Sequence, residues 1–186
     1  MSNTQPTSPA SFLIPKPQPG EYAPYAILYI RQLPDDGQVL RNLRENLAHT
    51  LAFIRSFPAD KLTTPWAPGE WTIQEILIHV ADSERIFAYR ALRFARQDAT
   101  PLPGFEQDEY VPVSRANERA IESILAEYAA VRMATLTLFE SFEEEVFART
   151  GLASENRVSV RALAYIIAGH ELHHIKSIRE NYGGGE

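Results

Sequence analysis

The distribution of proline constrains the fold of this chain more than any other feature. Six of the 13 prolines lie within the first 24 residues, and further prolines cluster at 58–68 and 101–112. An interior proline removes a backbone hydrogen bond and clashes with the preceding turn, so each cluster marks a break between helices. No proline occurs in the 74 residues after Pro112, which can therefore be largely helical. We expect residues 1–24 to form an irregular tail and residues 25–186 to form one domain.

The segments between the proline clusters predict four long amphipathic helices, at about 35–57, 72–97, 114–145 and 159–182. Apolar residues repeat in each segment at three- and four-residue spacing, as one buried helix face requires. Thr72 and Glu75 form a capping-box pattern, Ser114 is a candidate N-cap, and Gly183 is a candidate C-cap. We find no alternating strand pattern and no Asn-Gly or Asp-Gly hairpin between apolar runs. The prediction is an all-α four-helix bundle, and its long links call for at least one crossover connection.

The chain contains no cysteine. This excludes disulfides, thiolate zinc sites, iron–sulfur clusters and a cysteine nucleophile, so any metal must be held by histidine or carboxylate. The formal net charge of −6 argues against a nucleic-acid surface, which normally carries a basic patch. No apolar run approaches the roughly 20 residues of a membrane span, and no signal-peptide pattern is present. We expect a cytoplasmic protein with no nucleic-acid or membrane partner.

Three of the five histidines fall within residues 170–174. At roughly 100° per residue, His170 and His174 lie within about 20° of Leu163 on the inward stripe of the last helix, and His173 lies about 80° away. The pair could be two core histidines satisfied by hydrogen bonds. A metal site is slightly favoured, because two neutral imidazoles in a core compete for scarce partners and one metal satisfies both.

A catalytic zinc-like site needs a third protein ligand. His79 lies in an apolar run, so it is expected to be buried, although the main stripe of its helix centres elsewhere. His49 falls on the outer face of the first helix. His79 is therefore the remaining candidate for the inside of the bundle.

Three further parts of the chain supply candidate residues for the second shell or the substrate pocket. Glu84 falls within the apolar stripe of the second helix, either paired with an arginine or facing substrate. His173 lies at the edge of the stripe of the last helix. Glu106, Asp108 and Tyr110 lie in a segment that could cover the metal end of the bundle or form an ordinary polar turn. Of these three, we propose Glu106 and Tyr110 as pocket candidates.

Residues 170–174 read His-Glu-Leu-His-His and match the H-E-x-x-H motif of zinc metalloproteases, in which Glu171 would be the general base. Those enzymes usually take a third ligand downstream. Only 12 residues follow His174, and none is a histidine. No strand is predicted that could align a peptide. We therefore disfavour a protease and expect the third ligand upstream, which again selects His79.

Several stretches of the sequence resemble the DinB/YfiT-like superfamily. Pro-Gly-Glu-Trp-Thr-Ile at 68–73, followed by His-Val-Ala-Asp-Ser-Glu at 79–84, is similar to the start of its second helix. Val-Arg-Ala-Leu at 160–163, leading into Gly-His-Glu-Leu-His-His at 169–174, is similar to its last helix. Residues 102–110 resemble the loop after the second helix in the DinB-like subgroup. The resemblance covers roughly 34–182, and the proline-rich tail lies outside it.

The resemblance implies a four-helix bundle with a crossed connection and a divalent metal (Zn, Ni, Mn or Fe) held by His79, His170 and His174. It implies a metal-dependent hydrolase, or an S-transferase or isomerase that uses a low-molecular-weight thiol, acting on a small-molecule substrate. It also implies a homodimer. The alternative is a non-catalytic stress-response or binding module with a structural metal, which the lack of an assignable general base favours. A metal-free interaction bundle is the third hypothesis.

Overall fold

The structure, a computed structural model, describes residues 12–183, so residues 1–11 of the predicted tail lie outside the described part. Seven helices and two strands follow one another within those residues. The helices are α1 (Ile27–Ile30), α2 (Val39–Arg55), α3 (Ala59–Leu62), α4 (Ile73–Ala95), α5 (Gln107–Val113), α6 (Ile121–Glu140) and α7 (Val160–Tyr182). The strands are β1 (Thr150–Ala153) and β2 (Asn156–Ser159). Short 3₁₀ turns occur at Pro24–Ala26, Ala116–Glu118 and Glu144–Ala148.

The four long helices α2, α4, α6 and α7 form a bundle. Helix α4 packs against α6 and α7, and α2 packs against the same two helices. Consecutive long helices α2 and α4 therefore lie at diagonal corners, and the chain crosses the end of the bundle between them. This confirms the predicted all-α four-helix bundle with a crossover connection. Within the described residues, no helix has both the length and the apolar character that a bilayer span requires.

Local capping explains where two of the long helices begin. The Thr72 hydroxyl accepts a hydrogen bond from the backbone of Glu75, whose carboxylate accepts one from the backbone of Thr72. The Ser159 hydroxyl accepts a hydrogen bond from the backbone of Ala162 at the start of α7. Helix α7 ends at Gly183, whose φ of 66° is a conformation that glycine adopts easily. The predicted capping box and C-terminal glycine are both confirmed.

The predicted start of the third helix at Ser114 is wrong. Helix α6 begins at Ile121, and Ser114 is instead the C-cap of α5, a helix within a segment expected to be a loop. Between the two helices, Arg115 adopts a left-handed φ of 54°, which no helical run can pass through. Helix α6 also ends at Glu140, before the predicted end at about residue 145. The residues Glu144–Ala148 form a separate 3₁₀ turn.

The expectation of a chain without strands is also wrong. Strands β1 and β2 form an antiparallel hairpin in which Ala153 pairs with Asn156. Its two-residue turn has Ser154 at φ 49° and Glu155 at φ 63°, which is a type I′ geometry. The hairpin was missed because this turn usually contains Asn-Gly, and here neither residue is one of those two. The carbonyl of Leu152 accepts a hydrogen bond from Leu102, so the link after α4 is fastened to the hairpin.

The described part of the predicted tail packs on the bundle. Ile14 is 3% exposed and belongs to the core, and its carbonyl accepts a hydrogen bond from the Tyr165 hydroxyl of α7. Glu21 pairs with Arg161 on the same helix. That residues 1–24 form a unit separate from the domain stays a prediction.

The core consists of two apolar clusters separated by a buried polar layer. One cluster contains Val39, Leu43, Phe94 and Phe139, and the other contains Ile54, Ile73, Leu77, Ile124, Leu125 and Ile178. Each long helix contributes a polar side chain to the layer between them: Thr50 from α2, Glu84 from α4, Arg132 from α6 and Glu171 from α7.

Arg132 lies at the centre of this layer and its side chain is fully buried. The guanidinium donates to both carboxylate oxygens of Glu84 at 2.8–3.2 Å. It also donates to the Glu171 carboxylate and to the backbone carbonyl of Leu43, each at 2.8 Å. Glu171 further accepts hydrogen bonds from the hydroxyls of Thr50 and Tyr128, at 2.8 and 2.6 Å. The layer therefore connects all four long helices.

Candidate metal centre

Three imidazoles from two helices meet beside the polar layer. His79 comes from α4, and His170 and His174 lie one turn apart on α7, as i, i+4 spacing requires. The Nε2 atom of His170 is 3.1 Å from the Nε2 atoms of both His79 and His174. One ring nitrogen from each residue lies within 4.8 Å of the other two. The two histidines that helical periodicity indicated on α7 therefore lie beside the one that its apolar surroundings indicated on α4.

Aromatic side chains pack around these imidazoles. The Trp71 ring lies 5.0 Å from that of His79, measured between centroids. The Tyr29 ring meets His170 edge-on at 5.1 Å, and Phe87 meets it edge-on at 6.1 Å. His79 and His170 are each 4% exposed. This packing restricts ring rotation and holds the three nitrogens close together.

The environment keeps the three imidazoles neutral. Burial lowers the pKa of His79 to about 4, against an opposing effect of the Asp108 carboxylate. Burial and the neighbouring histidines lower the pKa of His174 to about 3, and the same causes take the pKa of His170 well below its usual value. At neutral pH each ring therefore has a free lone pair, as a metal ligand must.

The donor set fits a divalent cation. The Nε2 atom of His170 carries either one hydrogen or one lone pair, so it forms a good hydrogen bond with only one of its two neighbours. A single cation accepts all three lone pairs. Two nitrogen ligands about 2.1 Å from one ion lie roughly 3.0–3.4 Å apart at octahedral to tetrahedral angles. The two Nε2 separations that involve His170, to His79 and to His174, are both 3.1 Å and fall within this range.

An open cleft of about 530 Å³ leads to this cluster. Its lining includes Trp66, Glu70, Trp71, Asp108, His174 and Asn181. His174 is thus both a member of the histidine cluster and part of the cleft wall. Asp108 lies in α5, so part of the segment after α4 lines the same cleft as His174. A small molecule that enters the cleft therefore meets the cluster at the His174 imidazole.

Asp108 lines the cleft, although the sequence indicated its neighbours Glu106 and Tyr110 as the pocket candidates. Glu106 and Tyr110 are exposed, and neither is among the described residues that line the cleft; the Tyr110 ring lies 5.7 Å from that of Phe105. A seven-residue helix is too short for its apolar pattern to show which acid faces inward, so no sequence signal distinguishes Asp108. His173 is exposed and lines a second cleft on the other side of α7.

Glu84 and Glu171 have structural partners. The carboxylate of Glu84 is paired with Arg132, which is the first of the two alternatives that its position in the apolar stripe left open. Glu171 is fully buried and bound by Arg132, Tyr128 and Thr50. Its carboxylate is therefore directed into the polar layer, which supports setting aside the metalloprotease interpretation of residues 170–174. His49 is exposed on α2, as its position on the helix wheel predicts.

The part of the chain that contains the histidine cluster matches a known protein family. The family model of the DinB superfamily matches residues 42–178, a range that includes the three clustered histidines and most of the four long helices. The chain belongs to the DinB superfamily. The predicted family resemblance is thereby confirmed.

Two relatives match most of the length of this chain. The "Putative metal-dependent hydrolase" of Geobacillus thermodenitrificans is 26% identical over 162 residues, which cover 84% of each protein. A protein of the same designation from Oceanobacillus iheyensis is 23% identical over 128 residues, covering 68% of this chain and 73% of that protein.

Two solved structures have the same fold as this DinB-superfamily chain. YfiT from Bacillus subtilis, described as a probable metal-dependent hydrolase with an unusual four-helix bundle topology, superposes with a TM-score of 0.69 at 19% identity, covering 87% of this chain and 92% of YfiT. A mycothiol-dependent maleylpyruvate isomerase superposes with a TM-score of 0.64 at 12% identity. That match covers 83% of this chain and 63% of the isomerase.

Proposed function

We propose that this protein is a metal-dependent hydrolase acting on a small-molecule substrate, with one divalent cation held by His79, His170 and His174. The observation that carries the proposal is the convergence of three neutral imidazoles, one of which lines an open cleft. The designation of the relatives as metal-dependent hydrolases supports it. Imidazole ligands suit Zn, Ni and Fe, whereas Mn prefers oxygen ligands.

A divalent ion bound there supplies Lewis acidity, which polarises an electrophile and lowers the pKa of a water or thiol ligand. The chain provides the other functions. The Asp108 carboxylate lines the cleft together with His174, and we assign it the role of general base that accepts the proton of the attacking nucleophile. Trp66 and Trp71 form apolar wall on the same cleft, where they exclude water and hold the substrate.

The cleft favours a catalytic metal over a structural one. In the part of the chain that the structure describes, the cluster offers three protein ligands, and no further histidine or carboxylate joins the group. Structural metal sites are closed by four protein ligands, whereas catalytic sites keep a position open. A non-catalytic stress-response or binding module with a structural metal is therefore the weaker alternative.

Thiol transfer is the second candidate function. The chain has no cysteine, so a sulfur nucleophile would have to arrive with a small molecule. The fold shared with a mycothiol-dependent isomerase favours such a cofactor. A low-molecular-weight thiol would enter the cleft beside His174, and Asp108 would accept its proton. A homodimeric state and a cytoplasmic location stay predictions.

Metal analysis of protein purified without a histidine tag tests the site. We expect about one divalent ion per chain at neutral pH, and His174→Ala should lose most of it. His49→Ala is the matched control, because His49 is an exposed histidine on another helix. A wild-type protein that binds none of Zn, Ni, Mn or Fe would refute the proposal. Unchanged metal content in His174→Ala would remove that residue from the site.

The role of Asp108 has a separate test. Once a turned-over substrate is found, Asp108→Asn should lower kcat by about 100-fold or more while metal content stays unchanged. Glu106→Gln is the control, since Glu106 is exposed and lies close by in sequence. An unchanged kcat in Asp108→Asn would exclude the residue as the base.

A further inference from the structure

The charged side chains that line the cleft beside His174 are all acidic. Two carboxylates, Glu70 and Asp108, line it, and none of its nine described lining residues is an arginine or a lysine. No ion pair within residues 12–183 involves Glu70 or Asp108. Both side chains are exposed, so they are available to a molecule that enters the cleft.

Basic side chains line the second cleft rather than this one. Arg31 and Lys176 lie in its wall together with the carboxylate of Glu180, which is 3.7 Å from the Lys176 ammonium. Ser177 is common to the walls of both clefts, which marks their boundary. The acidic cleft that His174 lines therefore has two carboxylates and no described basic side chain, whereas the second cleft has two basic side chains and one carboxylate.

Aromatic side chains complete the acidic cleft. Trp66 is 48% exposed and Trp71 packs its ring 5.0 Å from that of His79. Indole faces attract cations, and tryptophan is the strongest side chain in this respect. A cationic group in the cleft gains from two carboxylates and two indoles. An anionic group meets both carboxylates without a compensating basic side chain, which is an unfavourable arrangement.

We propose that the substrate or co-substrate of this cleft carries a positively charged group, such as a protonated amine, and that carboxylate- or phosphate-bearing molecules are rejected. The inference rests on the proposed function, because it places the ligand's reactive end at the metal. Glu70 binds the cationic group, the charge of the Asp108 carboxylate attracts it from the metal end of the cleft, and the two tryptophans form the wall over which it lies. Charge, rather than shape alone, selects the molecule that reaches the imidazoles.

Small thiols of different charge test this selection. The cobalt(II)-loaded protein is titrated at pH 7 with cysteamine, which carries an ammonium group, and with 3-mercaptopropionate, which carries a carboxylate. The readout is the thiolate-to-cobalt charge-transfer absorption, which reports binding without turnover. The ratio of the two Kd values is then measured again in the Glu70→Gln/Asp108→Asn variant. The thiol acidities are the same for both proteins, so they cancel in this comparison.

We expect the preference for cysteamine to fall by about tenfold or more in the double variant and by a smaller factor in Glu70→Gln alone. Glu180→Gln is the matched control, because Glu180 lines the second cleft, and it should leave the ratio unchanged. If cobalt binds and the ratio is the same in wild type and double variant, the charge inference is wrong while the metal site stands. If cobalt does not bind, the proposed function fails and the inference fails with it.

Discussion

Replacing Arg132 with methionine should strongly destabilise the protein. Arg132 is fully buried and donates to Glu84, to Glu171 and to the carbonyl of Leu43. Methionine keeps an unbranched apolar stem but ends short of the guanidinium, so the loss of charge and of donors is accompanied by a small void at that position. The two carboxylates remain in the core without their shared cation.

The expected loss is about 3–5 kcal/mol of unfolding free energy, the usual result of removing one partner of a buried ion pair. A domain of this size has roughly 5–15 kcal/mol in total, so the variant should still fold under mild conditions. The loss is larger than for the exposed pair of Arg55 and Glu122, whose side chains are 51% and 63% exposed. Exposed pairs of this kind typically contribute less than about 1 kcal/mol.

The loss should also depend on pH. In the variant the two buried carboxylates have no cation, and a carboxyl group buried without a partner stays protonated over a higher pH range than one exposed to water. The folded state then binds more protons than the unfolded state, so stability falls as the pH rises through that range. The difference between wild type and variant should therefore be smaller at pH 5 than at pH 8.

Urea denaturation followed by far-ultraviolet circular dichroism measures both effects. The control adds Glu84→Gln and Glu171→Gln to Arg132→Met, which removes the unpaired charges and should recover at least half of the lost stability at pH 8. A loss below about 1 kcal/mol in Arg132→Met would refute the argument, because it would place the variant in the range of an exposed pair. A loss that is equal at pH 5 and pH 8 would refute its electrostatic basis.

Two further predictions concern the site. Gly169→Ala should cost about 1–3 kcal/mol, because a Cβ at Gly169 would lie 2.2 Å from the backbone oxygen of Tyr29. Thermal unfolding should show this, with Gly104→Ala, where the nearest atom is 3.4 Å away, as a near-neutral control. In metal-free protein, the lowered pKa of His79, about 4 against 6.5, means that the unfolded state binds the proton first on acidification. Urea unfolding with chelator should therefore show a loss of stability between pH 6.5 and pH 4 that is smaller in His79→Gln by on the order of 3 kcal/mol, while His170 and His174 add their own losses to the total in both proteins.

Helix periodicity and capping chemistry made much of the fold predictable. A three- and four-residue apolar repeat depends only on the local chain, and so does the hydroxyl–backbone exchange at Thr72 and Glu75. The same geometry predicted that His170 and His174 share one face of α7. It did not predict whether His79 joins them, because the burial of His79 follows from packing against another helix.

The failures have one physical origin, which is structure determined by contacts between distant segments. The two-residue turn at Ser154 and Glu155 adopts left-handed backbone angles without the residues that favour them, so tertiary contacts must support it. Gly151 of the hairpin packs against the Phe94 ring, where a Cβ would lie 2.0 Å from a ring carbon. Asp108 is likewise identified by the cleft that it shares with His174 and not by its neighbours in sequence.

The polar layer connects the two helices that carry the histidines. Arg132 on α6 binds Glu84, five residues after His79 on α4, and Glu171, the residue after His170 on α7. Its two carboxylate contacts therefore fix the axial position of α4 relative to α7 close to the point where the imidazoles meet. The layer also holds two carboxylates and one guanidinium, and an excess of negative charge beside three neutral ligands favours a divalent cation.

The charge-neutral triple variant separates this role from stability. Arg132→Met with both glutamates changed to glutamine should regain much of its folding free energy and still bind zinc about tenfold more weakly, as measured by competition with a chromophoric chelator. Leu136→Ala is the matched control. It is a core change on the same helix that costs about 2–5 kcal/mol through a cavity, and it touches neither carboxylate, so its zinc affinity should stay close to that of wild type. Equal zinc affinity in the triple variant and the wild type would show that the layer stabilises the bundle without positioning the histidines.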